Sequence, residues 1–457
     1  MKSLEDTIAA IATPLGEGGL AVIRLSGPGA LAVADACFVP PRNRDKPSAA
    51  ATHTVHYGRI LLQGRVVDEV LLTVMRAPRT FTREDVVEIS CHGGMVAAKA
   101  VLDAVLTHGA RLAEPGEFTQ RAFLNGRLDL AQAEAVADVI HARTELALVV
   151  ANEQLAGKLS RRIGELRDEL MTTLAHIEAH IDFPEEDIAP DTRESLLGRL
   201  DQALRFMDEL LRTADEGRIL RRGIRAAIVG RPNVGKSSLL NQLLGHERAI
   251  VSPVPGTTRD TIEETANIRG LPVVLIDTAG LREAGDAIEQ EGIRRSHESV
   301  ARAELILHVL DGAETLTPED RRYLDRFAGK KRILVRNKVD QPQQLELPDN
   351  LAPKAIAVCA LSGQGVEALK DAIRALVWGG EIRAEMLPAM INARHQDALR
   401  RARVATERCL TALRENRTLE LVAADLRIAV NAVGEVVGQT ATEDLLDAIF
   451  SQFCIGK

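Results

Sequence analysis

Apolar and polar positions are patterned differently in successive stretches of the chain. In residues 1–118 the runs Leu20 to Leu25 and Val66 to Met75 read as strands, and Val96 to Leu106 reads as a helix. Gly16, Gly18, Gly19, Gly27 and Gly29 punctuate the runs, and Asn43 to Ala51 is a polar loop containing proline. From Glu117 to Phe183 there is no proline, and Leu128, Ala131, Ala135, Val139 and Ala142 fall on one face at helical spacing. The acidic run Pro184 to Pro190 breaks this pattern, and Leu196 to Leu211 resumes it. Short apolar runs return at Ala226 to Val229, Val273 to Ile276 and Ile333 to Val335. Beyond Pro388 the chain is again proline-free and helical, up to the tail Cys454-Ile455-Gly456-Lys457. The expected fold class is therefore multidomain: α+β in 1–118, all-α in 119–222 and 379–457, and α/β in 223–378. The economical arrangement is one helical domain with the α/β domain inserted into it, since insertion needs only neighbouring termini.

The inserted stretch carries the chemistry. Ala226 to Val229 is followed by Gly230-x-x-x-x-Gly235-Lys236-Ser237, and Leu239 and Leu240 then open a helical pattern. Strand, glycine loop and helix are the context in which backbone N–H groups curl round a phosphate. Lys236 is placed to reach the β- and γ-phosphates and Ser237 to ligate Mg²⁺. Asn233, Val234, Gly235 and Ser238 complete the cradle. Asp277-Thr278-Ala279-Gly280 ends the second apolar run, as a loop sensing Mg²⁺ and the γ-phosphate does. Thr257 and Thr258 lie between these motifs, where a switch threonine would ligate Mg²⁺. Asn337-Lys338-Val339-Asp340 ends the third run. The Asp340 carboxylate is suited to guanine N1–H and the 2-amino group, and adenine would leave that acceptor unpaired. Order, spacing and strand context together indicate a GTP-binding, Ras-like G domain.

Two details depart from a signalling switch. Leu281 follows the D-x-x-G glycine and can orient no water, which leaves Glu289 as the nearest downstream carboxylate for that task after Glu283 and Asp286. A solvated charge is the competing reading of Glu289. Asn233 offers a hard oxygen to a monovalent cation, together with carbonyls of the Ser252 to Gly256 loop; support of the loop's turn is the equal alternative.

Composition narrows the class. The chain has 457 residues, 46% hydrophobic and 27% charged, which is ordinary globular content and too long for a single core. Cys37, Cys91, Cys359, Cys409 and Cys454 are scattered, with neither a C-x-x-C pair nor a disulfide framework. No run approaches eighteen apolar residues and the N-terminus is acidic, so a soluble cytoplasmic protein with no membrane association is expected. A net charge of −8 and 3% aromatics argue against a free-standing nucleic-acid binder. The basic stretches at Arg218 to Arg225 and Arg400 to Arg403 read as solvated helix faces or linker, with an RNA contact the competing reading.

Outside the G domain, several motifs together resemble the MnmE (TrmE) family of tRNA modification GTPases over the whole length. They are Thr13-Pro14, Gly18-Gly19, Arg24-Leu25-Ser26-Gly27, Phe81-Thr82-Arg83-Glu84-Asp85, His92-Gly93-Gly94, Pro115-Gly116-Glu117-Phe118-Thr119, the run Arg121 to Leu130, and the Cys-Ile-Gly-Lys tail. The resemblance implies an N-terminal domain similar to folate-dependent one-carbon enzymes, binding 5-formyltetrahydrofolate at a homodimer interface. By motif position the folate residues would be Arg24, Glu88, Arg127 and Lys457, with Cys454 a candidate only. It also implies K⁺-stimulated GTP hydrolysis by G domains that pair across the dimer. Asn233, Ser252, Val254 and Thr257 match the K⁺ ligands, Ser237 and Thr258 the Mg²⁺ ligands, and Glu289 the water-orienting residue.

By the same analogy the partner is the FAD-dependent MnmG (GidA), in a heterotetramer that engages tRNA. Together they would place a carboxymethylaminomethyl or aminomethyl group on C5 of the wobble uridine. Three features depart from the family pattern or add ambiguity to it. The guanine-side loop reads Cys359-Ala360-Leu361 in place of a serine-led triplet; Arg127 stands where some relatives carry lysine; Pro253 and Pro255 stiffen the cation loop. The competing readings are a ribosome-assembly GTPase, which would need an RNA-binding appendage with G-x-x-G that residues 381–457 lack, and a dimer-gated scaffold without modification chemistry.

Overall fold

The computed structural model describes residues 5–41, 45–182, 192–245, 263–277, 302–378 and 389–457. The first part is built on strands β1 (Ile8–Ile11), β2 (Gly18–Ser26), β3 (Phe38–Val39), β4 (Thr54–Leu62), β5 (Arg65–Met75), β6 (Val86–Gly93) and β7 (Arg111–Leu112). They form one seven-stranded sheet in the order β3-β4-β5-β6-β2-β1-β7, antiparallel except for the β1–β7 pair. Helices α1 (Ala30–Cys37) and α2 (Met95–Thr107) bury small and β-branched residues against the sheet. Strand periodicity explains the division of labour: Ala21, Ile23 and Leu25 of β2 and Val87, Ile89 and Cys91 of β6 enter that core. The alternate residues therefore belong to the opposite face. Helix α3 (Glu117–Leu124) follows Gly116, whose φ of +68° is left-handed.

The helical stretch comprises α4 (Leu130–His141), α5 (Glu145–Leu155), α6 (Lys158–Asp182), α7 (Thr192–Arg212) and α8 (Ala214–Arg222). The face expected from Leu128 to Ala142 starts two residues late. Asp129 accepts from the Gln132 N–H at 2.9 Å while the Gln132 side chain accepts from the Asp129 N–H at 3.0 Å. That reciprocal pair starts the helix after Asp129, so Leu128 precedes it, and Leu130, Ala131, Ala133 and Ala135 form the buried face.

The α/β part contains β8 (Ile224–Val229), α9 (Lys236–Leu244), β9 (Glu263–Ile268), β10 (Leu271–Asp277), β11 (Leu305–Asp311), α10 (Pro318–Arg326), β12 (Arg332–Asn337), β13 (Ala355–Ala357) and α11 (Val366–Val377). Its six-stranded sheet runs β13-β12-β11-β8-β10-β9, parallel except for β9. Every residue of β11 is buried, as expected of a central strand covered on both faces. The chain ends in α12 (Ala393–Arg414), α13 (Leu419–Val437) and α14 (Glu443–Phe450).

Two compact units emerge: residues 1–137, 154–203 and 401–457 form one, and 138–153 with 204–400 the other. The first unit thus joins the seven-stranded sheet to parts of both helical stretches, with α13 packed along α6. Among the described residues no helix is long and apolar enough to cross a membrane.

Candidate functional sites

The first site lies at the carboxyl end of β8. Gly230 has φ +147°, and a Cβ there would run into the Val309 carbonyl of the neighbouring strand. Asn233 is left-handed at φ +58°, and Gly235 at φ +95° passes so close to the Asn337 amide that no side chain fits. The loop is thus curled against the sheet, and α9 starts at Lys236 with no side-chain cap on its first N–H groups. Uncapped donors at a helix start, behind a loop that excludes side chains, are what an anionic phosphate fits. Lys236 Nζ donates to the carbonyls of Gly230 at 2.9 Å and Arg231 at 2.6 Å, which folds its ammonium over the loop. Ser237 and Asn233 are exposed, Ser238 is half-buried and Val234 is buried beneath the loop.

Asn337 ties the base-side loops to this cradle. Its Nδ2 donates to the Val234 carbonyl at 2.7 Å, and its Oδ1 accepts from the Ala360 N–H at 2.9 Å. One buried amide therefore links the phosphate loop to the triplet Cys359-Ala360-Leu361, a structural role the motif spacing did not reveal. Lys338 Nζ forms a 2.6 Å ion pair with Asp311, and Asp340 stays exposed at the rim. The Asp311 partner follows from the register, because β11 and β12 pair Asp311 with Asn337. Cys359 is buried and its N–H donates to the Gln364 carbonyl at 2.9 Å, closing the turn without a serine hydroxyl. Leu361 is 77% exposed. Asp277 ends β10 in register with Ile228. Ser252, Val254, Thr257, Thr258, Thr278, Ala279, Gly280 and Glu289 lie outside the described residues.

The second site is on the outward face of the seven-stranded sheet. Arg24 and Glu88 stand directly opposite each other in the β2–β6 register. Arg24 Nε donates to Glu88 Oε1 at 2.7 Å, and Nη1 donates to the Gly456 carbonyl at 3.1 Å. The guanidinium also lies 5.8 Å from the Phe118 ring centroid. Arg127 lies 5.4 Å over Phe81 and donates to the Thr80 carbonyl at 2.6 Å. Phe81 packs on the cluster of Ile8, Ala10, Ala113 and Phe118, so both cations stand on one aromatic floor.

The tail completes this arrangement: the Gly116 N–H donates to the Cys454 carbonyl at 3.3 Å, and Pro115 bridges Ile455. Cys454 is exposed and Lys457 half-buried. The Arg24–Glu88 pair, Arg127 on the same aromatic floor and a lysine at the end of the tail suit an elongated ligand with acidic ends and a hydrogen-bonding heterocyclic edge.

Sequence reasoning missed the ion network beneath it. Arg121, 2% exposed, donates to Asp6 at 2.5 Å, Glu117 at 3.2 Å and Glu84 at 3.3 Å. Arg111 joins Asp6 at 2.8 Å and Glu117 at 2.6 Å. Burial alone would raise the Glu117 carboxyl, but the Arg111 hydrogen bond and both guanidinium charges hold it below its ordinary value. The signal was present in the Pro115-to-Leu130 motif run, but charge pairs between positions 6 and 121 leave no local pattern.

Comparison with known proteins matches residues 7–127 to the family described as GTP-binding protein TrmE N-terminus and residues 130–454 to the MnmE helical domain. The chain is 49% identical to the tRNA modification GTPase MnmE of Geobacillus kaustophilus, over 99% of both chains. The chain belongs to the MnmE family of tRNA modification GTPases. The Chloroflexus aurantiacus MnmE is 51% identical, covering 99% of this chain and 100% of its own. A crystal structure of Aquifex aeolicus Era bound to GDP.AlF4- is 29% identical over 40% of this chain and 66% of that one. Its TM-score of 0.27 is too small to carry weight, so the G-domain geometry rests on the loop and sheet order. As expected for an MnmE family member, the N-terminal domain, helical domain and G domain are all present in one chain.

Proposed function

We propose that this MnmE-family chain is a K⁺-stimulated GTP hydrolase that works with an FAD-dependent MnmG-type partner on tRNA. The product would be a carboxymethylaminomethyl or aminomethyl group on C5 of the wobble uridine, with a tetrahydrofolate supplying the one-carbon unit. The observation that carries this reading is the presence, in one chain, of a side-chain-excluding phosphate loop and a separate cationic site closed by the chain's own tail.

In the G domain, Lys236 leaves the carbonyls of Gly230 and Arg231 for the β- and γ-phosphates, while the N–H groups of 233–238 hold the α- and β-phosphates. Ser237 and Thr258 would hold Mg²⁺. Asn233, with its left-handed backbone and exposed side chain, would hold K⁺ with the carbonyls of Ser252 and Val254 and with Thr257. A monovalent cation held there would supply positive charge to the hydrolysis, the task of an arginine finger elsewhere. Glu289 orients the attacking water where Leu281 has no polar group to do so. In the N-terminal domain, Glu88, oriented by its 2.7 Å hydrogen bond from Arg24, would accept from the amino-pyrimidine edge of the folate, while Arg127 and Lys457 would meet its carboxylates. The G domains pair across a homodimer, and hydrolysis drives a conformational cycle without entering the product.

Hydrolysis in KCl against NaCl at matched ionic strength tests the cation role. Turnover should fall at least tenfold in NaCl; equal rates would remove K⁺ from the mechanism and leave the guanine assignment standing.

A further inference from the structure

The tail is fixed by two glycine contacts that involve neither of its polar side chains. Gly456 has φ +93°, and a Cβ on it would meet the Ile11 carbonyl at 2.7 Å and Ala12 Cα at 3.0 Å. Both are backbone atoms at the end of β1, so neither can step aside as a flexible side chain would. Its carbonyl takes the Arg24 Nη1 hydrogen bond at 3.1 Å. Upstream, Gly116 at φ +68° would drive a Cβ into the Phe450 carbonyl at 2.5 Å and Phe453 Cβ at 3.0 Å. Phe450 and Phe453 are themselves buried with Leu130, Ala133 and Ile449. The chain end is thus held to the backbone of the N-terminal sheet at one glycine and to α3 at the other, with Arg24 bridging between Glu88 and the tail.

We propose that Gly456 is a positioning residue of the folate site: its left-handed backbone and bare Cα seat the tail against β1. Its carbonyl sets the Arg24 guanidinium beside Glu88. The proposal rests on the folate reading of Arg24, Glu88, Arg127 and Lys457. It adds that the ligand meets a wall made of tail backbone, so that the geometry at 456 tunes affinity without any ligand contact from a side chain there. An L-residue at 456 would need both an unfavourable φ and a shift of β1.

Cys454 makes the test accessible, because native chemical ligation requires a cysteine at its junction. Residues 1–453 joined to synthetic Cys-Ile-Xaa-Lys give three full-length proteins carrying glycine, L-alanine or D-alanine at 456. Two quantities are read: the dissociation constant for 5-formyltetrahydrofolate by calorimetry, and amide exchange at Gly116, whose N–H holds the Cys454 carbonyl. With L-alanine the affinity should drop at least tenfold and Gly116 should exchange faster. D-alanine, which favours positive φ, should restore most of both; loss of generic packing alone would not discriminate between the two hands. Wild-type affinity and exchange with L-alanine overturn the proposal. An absence of heat from the glycine protein instead overturns the folate reading beneath it, and this proposal with it. Removing residues 454–457, which lie beyond the end of α14 at Phe450, should weaken binding at least as much as L-alanine; wild-type affinity in that truncation also overturns it.

Discussion

At the level of single residues, His308 shows what the sequence conceals. It occupies the middle of β11, fully buried, and neither ring nitrogen has a hydrogen-bond partner among the described residues. Tyr323 meets it edge-on at 6.0 Å. Burial, and secondarily the positive charge of Arg332, push its pKa down to about 4, with Asp320 opposing. The sign follows directly. In the unfolded chain an ordinary histidine binds its proton near pH 6.5, so between there and pH 4 the unfolded state holds more protons than the folded one. Stability is therefore complete above about pH 6.5 and declines as pH falls toward 4, by on the order of 3 kcal/mol from this group as an upper bound. Urea unfolding of the His308→Leu variant between pH 7 and 4 should show a shallower decline than wild type; parallel curves would mean the ring is hydrated and protonates in place. The run Leu305 to Asp311 was not singled out in the sequence, and the missing partners of its histidine depend on what packs from α10, which leaves no local pattern.

Among the secondary-structure elements, legibility followed how locally each signal is written. Buried parallel strands announce themselves as apolar runs, and β8, β10 and β12 fall where those runs are. Strands β2 and β5 and helix α2 also fall on their patterns. The start of α4 did not, because the cap at Asp129 is a polar exchange with Gln132 that outweighs the apolar phase at Leu128. The end of α13 is likewise a tertiary matter. Gly438 terminates it at φ +86°, and a Cβ there would meet the Phe123 ring at 2.8 Å and Leu130 Cβ at 2.9 Å. Gly438→Ala combines a left-handed penalty with overpacking and should cost about 2–4 kcal/mol. The expected readout is a lower urea midpoint with an unchanged slope. A midpoint within error of wild type would show that Phe123 swings clear at no cost.

Across the whole molecule, the chemistry is assembled from sequence-distant parts, and the described residues of each site fall within one compact unit. Arg24 and Gly456 are 432 positions apart yet hydrogen-bonded, and both belong to the unit formed by 1–137, 154–203 and 401–457. The phosphate loop, Asn337 and Ala360 all belong to the other. The motifs made Arg24, the phosphate loop, Asn337 and Ala360 visible as candidates and Gly456 only as part of the tail, but the bonds between the two ends of the chain could be read only from the folded register. This separation makes a prediction about where each ligand acts. A ligand bound only to the native state stabilises it by about 2.7 kcal/mol at a hundredfold excess over its dissociation constant, and the gain is largest where its contacts lie. In amide exchange resolved by peptide, 5-formyltetrahydrofolate should slow residues 20–26, 86–93, 115–127 and 450–457. Mg²⁺ with GDP should slow 229–240, 336–340 and 358–361 instead. Folate protection confined to α6 and α13, with the tail unchanged, would sink the Arg24–Glu88 site. Nucleotide protection that spared 358–361 would sink the linking role of Asn337, since its side-chain amide is hydrogen-bonded to the phosphate loop at Val234 and to the Cys359-Ala360-Leu361 turn at Ala360.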